Sequence, residues 1–276
     1  MAHRSSIAAT EPDQAQDTKQ QPAPADGASV DGLAFRPHTE DAERLDARAK
    51  RLSAQFGSLT AEGVLDEAIH RQFPGRVALV SSFGAESATL LQLVAKIDPS
   101  TPVIFLETGK HFAQTLSYRR KLARRLGLTN VQDIAPNPEA LKTQDPTGTL
   151  WRTSPDKCCT LRKVNPLSDA LQGVDAWITG RKHFHGGARA RLPVFEASAP
   201  HIKINPIARW TADDVSAYIK EHDLPPHPLV EQGYPSIGCW PCTHPSADAD
   251  DPRAGRWRGA AKTECGIHAS AAKDVD

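Results

Sequence analysis

The sequence has little cysteine, no excess of charge of either sign and no long apolar run, and each shortage argues against one class of protein. No stretch approaches the ~18 consecutive apolar residues of a membrane span, so we expect no membrane association. Lys and Arg total 33, as do Asp and Glu, so bulk charge does not predict a nucleic-acid partner. Five cysteines, an odd number, together with a first segment that lacks the apolar core of a secretory signal, predict a reducing, cytoplasmic location.

Composition divides the chain into three segments. Residues 1–37 are rich in Ala, Pro, Gln and Asp, and we predict a disordered N-terminal tail because so few apolar groups cannot offset the entropy of ordering. Residues 38–242 carry regular apolar patterns and are predicted to form the folded domain. Residues 243–276 show little apolar periodicity and are predicted to be a flexible C-terminal segment.

Short apolar strands alternate with helical patterns along the central segment. Strand patterns occupy residues 76–82, 101–109, 130–135, 175–180 and 201–207. Leu45, Ala49, Leu52 and Phe56 recur at helical spacing, Thr60 is a candidate helix cap, and Thr211 with Asp214 has capping-box spacing. The alternation predicts an α/β fold with a doubly wound, mostly parallel sheet and helices on both faces.

The stretch "SSFGAES", residues 81–87, lies where a strand should meet a helix. Ligands of open α/β sheets bind beyond the carboxyl ends of the strands. Small residues before a helix N-terminus allow backbone N–H groups to approach an anion. The stretch matches neither common phosphate-binding pattern, so it is either an anion cradle or a turn without a ligand.

Four of the five cysteines form two pairs. Cys158 and Cys159 are adjacent, which strains a disulfide between them, and Cys239 and Cys242 have C-x-x-C spacing. Four thiolates could hold zinc or an iron–sulfur cluster. Adjacent thiolates fit two corners of a cluster better than one tetrahedral ion, so we favour the cluster; zinc, or four core cysteines without a metal, are the alternatives.

The fifth cysteine, Cys265, lies on the polar C-terminal segment three residues before His268. Nearby cations lower the pKa of a thiol and make it a better nucleophile. Basic residues also cluster near the glycine turns and cysteine motifs, and arginine suits phosphate or sulfate, although any one of them could be a solvated surface charge. The clusters comprise Arg162, Lys163, Arg181, Lys182, Arg189, Arg191, Arg253 and Arg256.

The combination of these motifs resembles the assimilatory adenylyl-sulfate / phosphoadenylyl-sulfate reductase family from about residue 40 to about residue 270. The resemblance is carried by "SSFGAES", "ETGKHF", "KCCTLRKVNPL", "WITG", "GCWPCT" and "RAGRWRG…ECGIH". It implies an adenine nucleotide α-hydrolase-like, Rossmann-type fold and the reduction of an activated sulfate to sulfite with release of an adenine nucleotide. It also implies thioredoxin or glutaredoxin as the reductant; a homo-oligomer is left open.

The resemblance also assigns residues. Cys158, Cys159, Cys239 and Cys242 are implied to bind a [4Fe–4S] cluster, and members with these cysteines use adenylyl sulfate (APS) rather than its 3′-phosphorylated form (PAPS). Cys265 is implied to attack sulfur and form an S-sulfocysteine, with His268 beside it and Lys163 near the cluster and the sulfate. The implied substrate contacts are Ser81, Ser82, Gly84, Glu107, Thr108, Gly109, Gly180, Arg189, Arg253 and Arg256.

One segment departs from the family pattern. After Gly180 the family commonly has two arginines, an acid, Gln and Ser, whereas this chain reads "RKHFHGG", so the resemblance assigns no role to Arg181, Lys182 or His183. Three alternatives remain: a PAPS reductase, an ATP-dependent adenylyl or thiolation enzyme on the same fold, and a zinc-bound interaction module. The second usually carries a loop of the type "SGGxDS", where this chain has Ala85 and Glu86.

Overall fold

A computed structural model describes residues 42–248, 251–259, 262 and 264–268. The predicted disordered tail, residues 1–37, lies outside the described residues. Of the predicted flexible segment, residues 243–276, only a part is described, and its flexibility stays a prediction.

The described residues form one six-stranded sheet with the order β3-β2-β1-β4-β6-β5. The strands are β1 (Val77–Val80), β2 (Val103–Leu106), β3 (Val131–Ile134), β4 (Ala176–Ile178), β5 (Phe195–Ser198) and β6 (His201–Ile204). Neighbouring strands pair in parallel except β5, which runs antiparallel to β6 at one edge. The predicted doubly wound, mostly parallel α/β sheet is therefore confirmed.

Nine α-helices lie within the described residues. They are α1 (Ala42–Phe56), α2 (Ala61–Asp66), α3 (Ser87–Ile97), α4 (Ala113–Arg125), α5 (Pro138–Gln144), α6 (Leu150–Thr153), α7 (Pro155–Cys159), α8 (Asn165–Ala170) and α9 (Ala212–Glu221). Wider π-type turns continue α2 over Glu67–Gln72 and α7 over Thr160–Val164. The hydroxyl of Thr60 caps α2, and Thr211 and Asp214 form the predicted capping box of α9.

Alternate residues of the strands face two separate apolar clusters. Leu79 packs with α1 to α4 on one face, and its neighbour Ala78 packs with Trp177 and with Leu167 of α8 on the other. This period of two in a strand buried on both sides explains why the strands read as continuous apolar runs. None of the described helices has the length and apolar character needed to cross a membrane.

The parallel arrangement places functional loops together. Because β1, β2 and β4 run in the same direction, the segments that follow them, 81–86, 107–112 and 179–182, meet at the carboxyl edge of the sheet. β1 is the switch point of the sheet, since the chain goes from β1 to β2 on one side and returns to β4 on the other.

Candidate active site

A cavity of about 220 Å³ lies at the carboxyl edge of the sheet. Ten of the residues predicted for the site line it: Ser81, Ser82, Gly84, Lys163, Gly180, Arg189, Arg253, Arg256, Cys265 and His268. The other three substrate candidates, Glu107, Thr108 and Gly109, lie in the loop after β2. There Glu107 accepts a hydrogen bond from the Gly109 N–H at 2.8 Å, and Thr108 contacts Cys239.

The loop after β1 owes its shape to a buried aromatic ring. Phe83 has a φ of 49°, a left-handed conformation that costs a non-glycine residue energy. Its fully buried ring packs edge-on against Phe105 with 5.7 Å between the ring centroids. Burying that ring inward leaves Ser81, Ser82 and Gly84 to line the cavity.

The segment that departs from the family pattern closes one side of the cavity. Glu86, at the start of α3, pairs with Lys182 Nζ at 2.8 Å and with His185 Nε2 at 3.1 Å. Burial acts to raise the pKa of Glu86, but His185 and Lys182 outweigh it and lower the pKa to about 2. His183 instead donates to the Leu192 carbonyl at 2.8 Å. Sequence reasoning missed Glu86 and His185 as partners, because 99 residues separate them.

The four paired cysteines meet at one place. Cys158 and Cys159 are buried at the end of α7, Cys239 precedes a 3₁₀ turn that ends at Cys242, and all four line a second cavity of about 20 Å³. The Thr108 hydroxyl lies 3.3 Å from Cys239 Sγ. The structure thus brings together the two predicted cysteine pairs, which lie 80 residues apart along the chain.

Cations surround these thiols. The small cavity is also lined by Lys110, Arg162, Lys163 and Arg256. Burial acts to lower the pKa of Lys163, but the sulfurs of Cys239, Cys265 and Cys159 outweigh it and raise that pKa above its ordinary range. The Lys163 ammonium therefore stays charged beside the sulfurs.

The donor set suits a thiolate-bound metal group. The residues around the small cavity offer four sulfurs and no carboxylate or imidazole, which is the ligand type of zinc and iron–sulfur sites. Within the described residues, no three Cys, His, Asp or Glu side chains converge closely enough to hold one ion. The surrounding cations suit a group of net negative charge.

A buried ion pair supports this cysteine cluster. Arg162 donates to Asp145 at 2.6 Å and to the Thr108 carbonyl at 2.8 Å, with side-chain exposures of 8% for Arg162 and 1% for Asp145. Sequence reasoning saw Arg162 only as one member of a basic cluster and did not identify Asp145. The pair ties the loop after β2 to the π-type turn that follows the double cysteine.

We expect Asp145→Ala to destabilise the protein by about 3–5 kcal/mol, because it leaves the Arg162 charge buried without its carboxylate. Urea denaturation measures the loss. Glu139→Ala is the control, since its ion pair with Lys142 is exposed, and it should cost much less. Equal losses in the two variants would contradict a structural role for the Arg162–Asp145 pair.

The fifth cysteine lies against the other four. The neighbouring Cys159 thiol, while it keeps its proton, holds the pKa of Cys265 well below its usual range despite burial. Lys163, the Ile267 N–H and Arg256 also lower this pKa. Cys265 lines the larger cavity, and Lys163 and Arg256 favour its thiolate form without depending on Cys159.

His268 is held by stacking. Its ring lies parallel to that of Trp177, with 5.8 Å between centroids and 7° between planes. Burial and the surrounding cations, above all Arg181, Arg189 and Lys203, keep the pKa of His268 well below its usual range, so the ring is neutral. Its backbone N–H donates to the Cys265 carbonyl at 3.1 Å.

Arg256 reaches the thiols over a glycine. A Cβ at Gly238 would lie 2.2 Å from Arg256 Nη2 and 2.7 Å from its Cζ, so a side chain there requires the guanidinium to move. Arg256 also lies over the Trp257 ring, 4.5 Å from its centroid. The glycine before the C-x-x-C motif therefore provides the space for a cation.

We expect Gly238→Ala to lower kcat about 10- to 100-fold by displacing Arg256 from the place where charge develops. The metal content should be unchanged, because Cys239 and Cys242 remain. Turnover and metal analysis of the same preparation test this, with Gly63→Ala, in α2 away from the cavity, as the control for chain stability. Normal turnover in Gly238→Ala would contradict the proposed position of Arg256.

The fold and the cavity together define a class: α/β proteins with a cation-lined cavity and a thiol at the carboxyl edge of a parallel sheet. Comparison with known proteins identifies the family. The chain belongs to the phosphoadenosine phosphosulfate reductase domain family, whose sequence pattern matches residues 76–245.

Relatives of similar length carry reductase names. The chain is 48% identical over 237 residues to the adenosine 5′-phosphosulfate reductase of Chelativorans sp., covering 86% of this chain and 96% of the relative. It is 49% identical over 234 residues to the enzyme of that name from Mesorhizobium japonicum, covering 84% and 92%. A phosphoadenosine 5′-phosphosulfate reductase from Gloeobacter violaceus is 41% identical over 225 residues, covering 80% and 93%.

A solved structure shares the fold. The crystal structure of phosphoadenylyl-sulfate reductase from Candida auris, a phosphate complex, superposes with a TM-score of 0.62 at 31% identity, covering 72% of this chain and 97% of that one. The adenine nucleotide α-hydrolase-like fold that the sequence implied is thereby confirmed.

Proposed function

We propose that the protein reduces adenylyl sulfate to sulfite and AMP in sulfate assimilation, with Cys265 as the nucleophile. The observation that carries this proposal is the position of Cys265 in the carboxyl-edge cavity, where Lys163 and Arg256 act on its sulfur. Attack on an activated sulfate requires a nucleophilic thiol near cations, and Cys265 meets this requirement beside the loop after β1.

The first step transfers the sulfonate group. The thiolate of Cys265 attacks the sulfur of the substrate, an S–S bond forms, the bond from that sulfur to the phosphate oxygen breaks, and AMP leaves with the bonding electrons. Attacking and attacked groups are both negative, so cations must offset the repulsion. Lys163 and Arg256 face the thiolate, and Arg189 and Arg253 line the same cavity.

The second step needs an external dithiol. One thiolate of thioredoxin or glutaredoxin attacks the Sγ of the modified Cys265 and releases sulfite with the electrons of the S–S bond. The second thiol resolves the mixed disulfide, so the dithiol is oxidised by two electrons and Cys265 returns as a thiol. We place the reaction in the cytoplasm, where reduced dithiol proteins are maintained.

We further propose that Cys158, Cys159, Cys239 and Cys242 hold a [4Fe–4S] cluster. The all-sulfur donor set, the adjacent positions of Cys158 and Cys159 and the surrounding cations support this group. When bound, the cluster would join four thiolates in a group of net negative charge, which the surrounding cations would offset, and would tie α7 to the C-x-x-C turn. Lys163 then lies between the sulfurs of the cluster site and the reacting group.

Preference for APS over PAPS is supported by the two relatives at 48% and 49% identity, both named for the substrate without the 3′-phosphate. The test is sulfite release from each nucleotide with thioredoxin as the reductant. Release from APS is the expected result. Reaction of PAPS alone would replace the proposed substrate, and release of pyrophosphate from ATP without any sulfite would favour an adenylyl-transfer enzyme.

A further inference from the structure

Glu264, the residue before Cys265, forms ion pairs with two of the arginines that line the cavity. Arg189 forms a bidentate ion pair with the Glu264 carboxylate: Nε lies 2.5 Å from Oε1, and Nη2 lies 2.7 Å from Oε2. Arg253 Nη2 lies 3.5 Å from the same Oε2. The two-point geometry of a guanidinium on a carboxylate is also the geometry with which it binds sulfate or phosphate.

These arginines lie where an anion is needed. Their side chains are only 9% and 15% exposed and both line the cavity, so two positive charges are held close together with little water. Burial and the neighbouring Arg189 lower the pKa of Arg253 to about 10, and Glu264 opposes this. The arginine pair therefore needs a negative partner, and in this conformation the chain itself provides one.

The C-terminal segment is also held by independent contacts on both sides of Glu264 and Cys265. Lys262 pairs with Asp156 on α7, and Ile267 packs on the apolar cluster that contains Trp177. Neither contact uses Arg189 or Arg253. Release of Glu264 would consequently free the arginines while Cys265 stays tethered near the cavity.

We propose that Glu264 is an internal anion that holds the Arg189–Arg253 pair until an anionic group of the substrate displaces it. Substrate entry is thus an exchange of one anion for another on the same cations. This inference rests on the proposed function only for the identity of that group, a phosphate or sulfate of the activated sulfate. The exchange lowers the apparent affinity for substrate and links easier access to the tethered Cys265 to an occupied site.

Glu264→Gln tests the exchange, because the amide keeps the shape and removes the charge. We expect the variant to bind inorganic sulfate and AMP about fivefold more tightly, in the range of ordinary coupling between two ligands. The KM for APS should fall by a similar factor. The control is Glu139→Gln, whose partner Lys142 is exposed on α5, and which should change neither quantity.

Alkylation of Cys265 by iodoacetamide, followed by mass spectrometry of its peptide, gives a readout that needs no turnover. In the wild type, inorganic sulfate should accelerate alkylation, and in Glu264→Gln alkylation should be fast and insensitive to sulfate. Unchanged sulfate affinity, or a lower kcat with an unchanged KM, would overturn the exchange and leave Glu264 a positioning residue. If sulfate acts as expected but APS is not reduced, the proposed function fails and the exchange stands.

Discussion

Cys265→Ser is expected to abolish sulfite release, by at least about 10⁴-fold in kcat. The serine hydroxyl keeps nearly the same size, but it does not ionise at neutral pH and cannot form the S–S bond of the proposed intermediate. The cations around position 265, Lys163 and Arg256, remain in place, so AMP should still bind. Sulfite assays with excess thioredoxin, together with calorimetric AMP binding, measure both effects.

A single-turnover experiment identifies the bond that forms. With APS and without thioredoxin, the wild type should gain the mass of one SO₃ group on the peptide that contains Cys265, and Cys265→Ser should gain none. Sulfonation of a different cysteine, or normal turnover in the variant, would contradict the assignment of the nucleophile.

The central strands could be predicted from the sequence because both of their faces are buried. β1, β2 and β4 are runs of apolar residues between turn residues, and such runs have few other uses in a short segment. β5, Phe195–Ser198, escaped prediction because only Phe195 is buried and the strand is made by pairing with β6. Helices α5 to α8 also escaped prediction, because each is too short to show a helical period.

The motifs predicted candidate site residues, most of which the structure brings together, but not their partners within the chain. The cysteine pairs and the loop after β1 carry their own local signals, and the structure brings them to one edge of the sheet. The partners Asp145 of Arg162 and Glu264 of Arg189 carry none, since a single acid among 33 acidic residues is indistinguishable by spacing. These ion pairs form only because the fold brings distant parts of the chain together, and local sequence patterns do not predict that proximity.

Cys239→Ser is expected to remove most of the iron and acid-labile sulfide from the purified protein and, with them, the activity. A hydroxyl is a poor ligand for a cluster that thiolates hold. Loss of the group also separates α7 from the C-x-x-C turn, so the variant should unfold at lower urea concentration. Elemental analysis, sulfide determination and the visible absorption of anaerobically purified protein provide the measurements.

Cys265→Ser is the matched control, because it makes the same chemical change at a sulfur that lies outside the four. It should keep its iron while losing activity, and Cys239→Ser should lose both. Loss of iron in Cys265→Ser would mean that the five sulfurs do not divide into four ligands and one nucleophile. One equivalent of zinc in the wild type, with no iron, would instead mean that the four thiolates bind a single ion. The proposed cluster would then be wrong. The assignment of Cys265 as the nucleophile does not depend on that result and is tested by the single-turnover experiment.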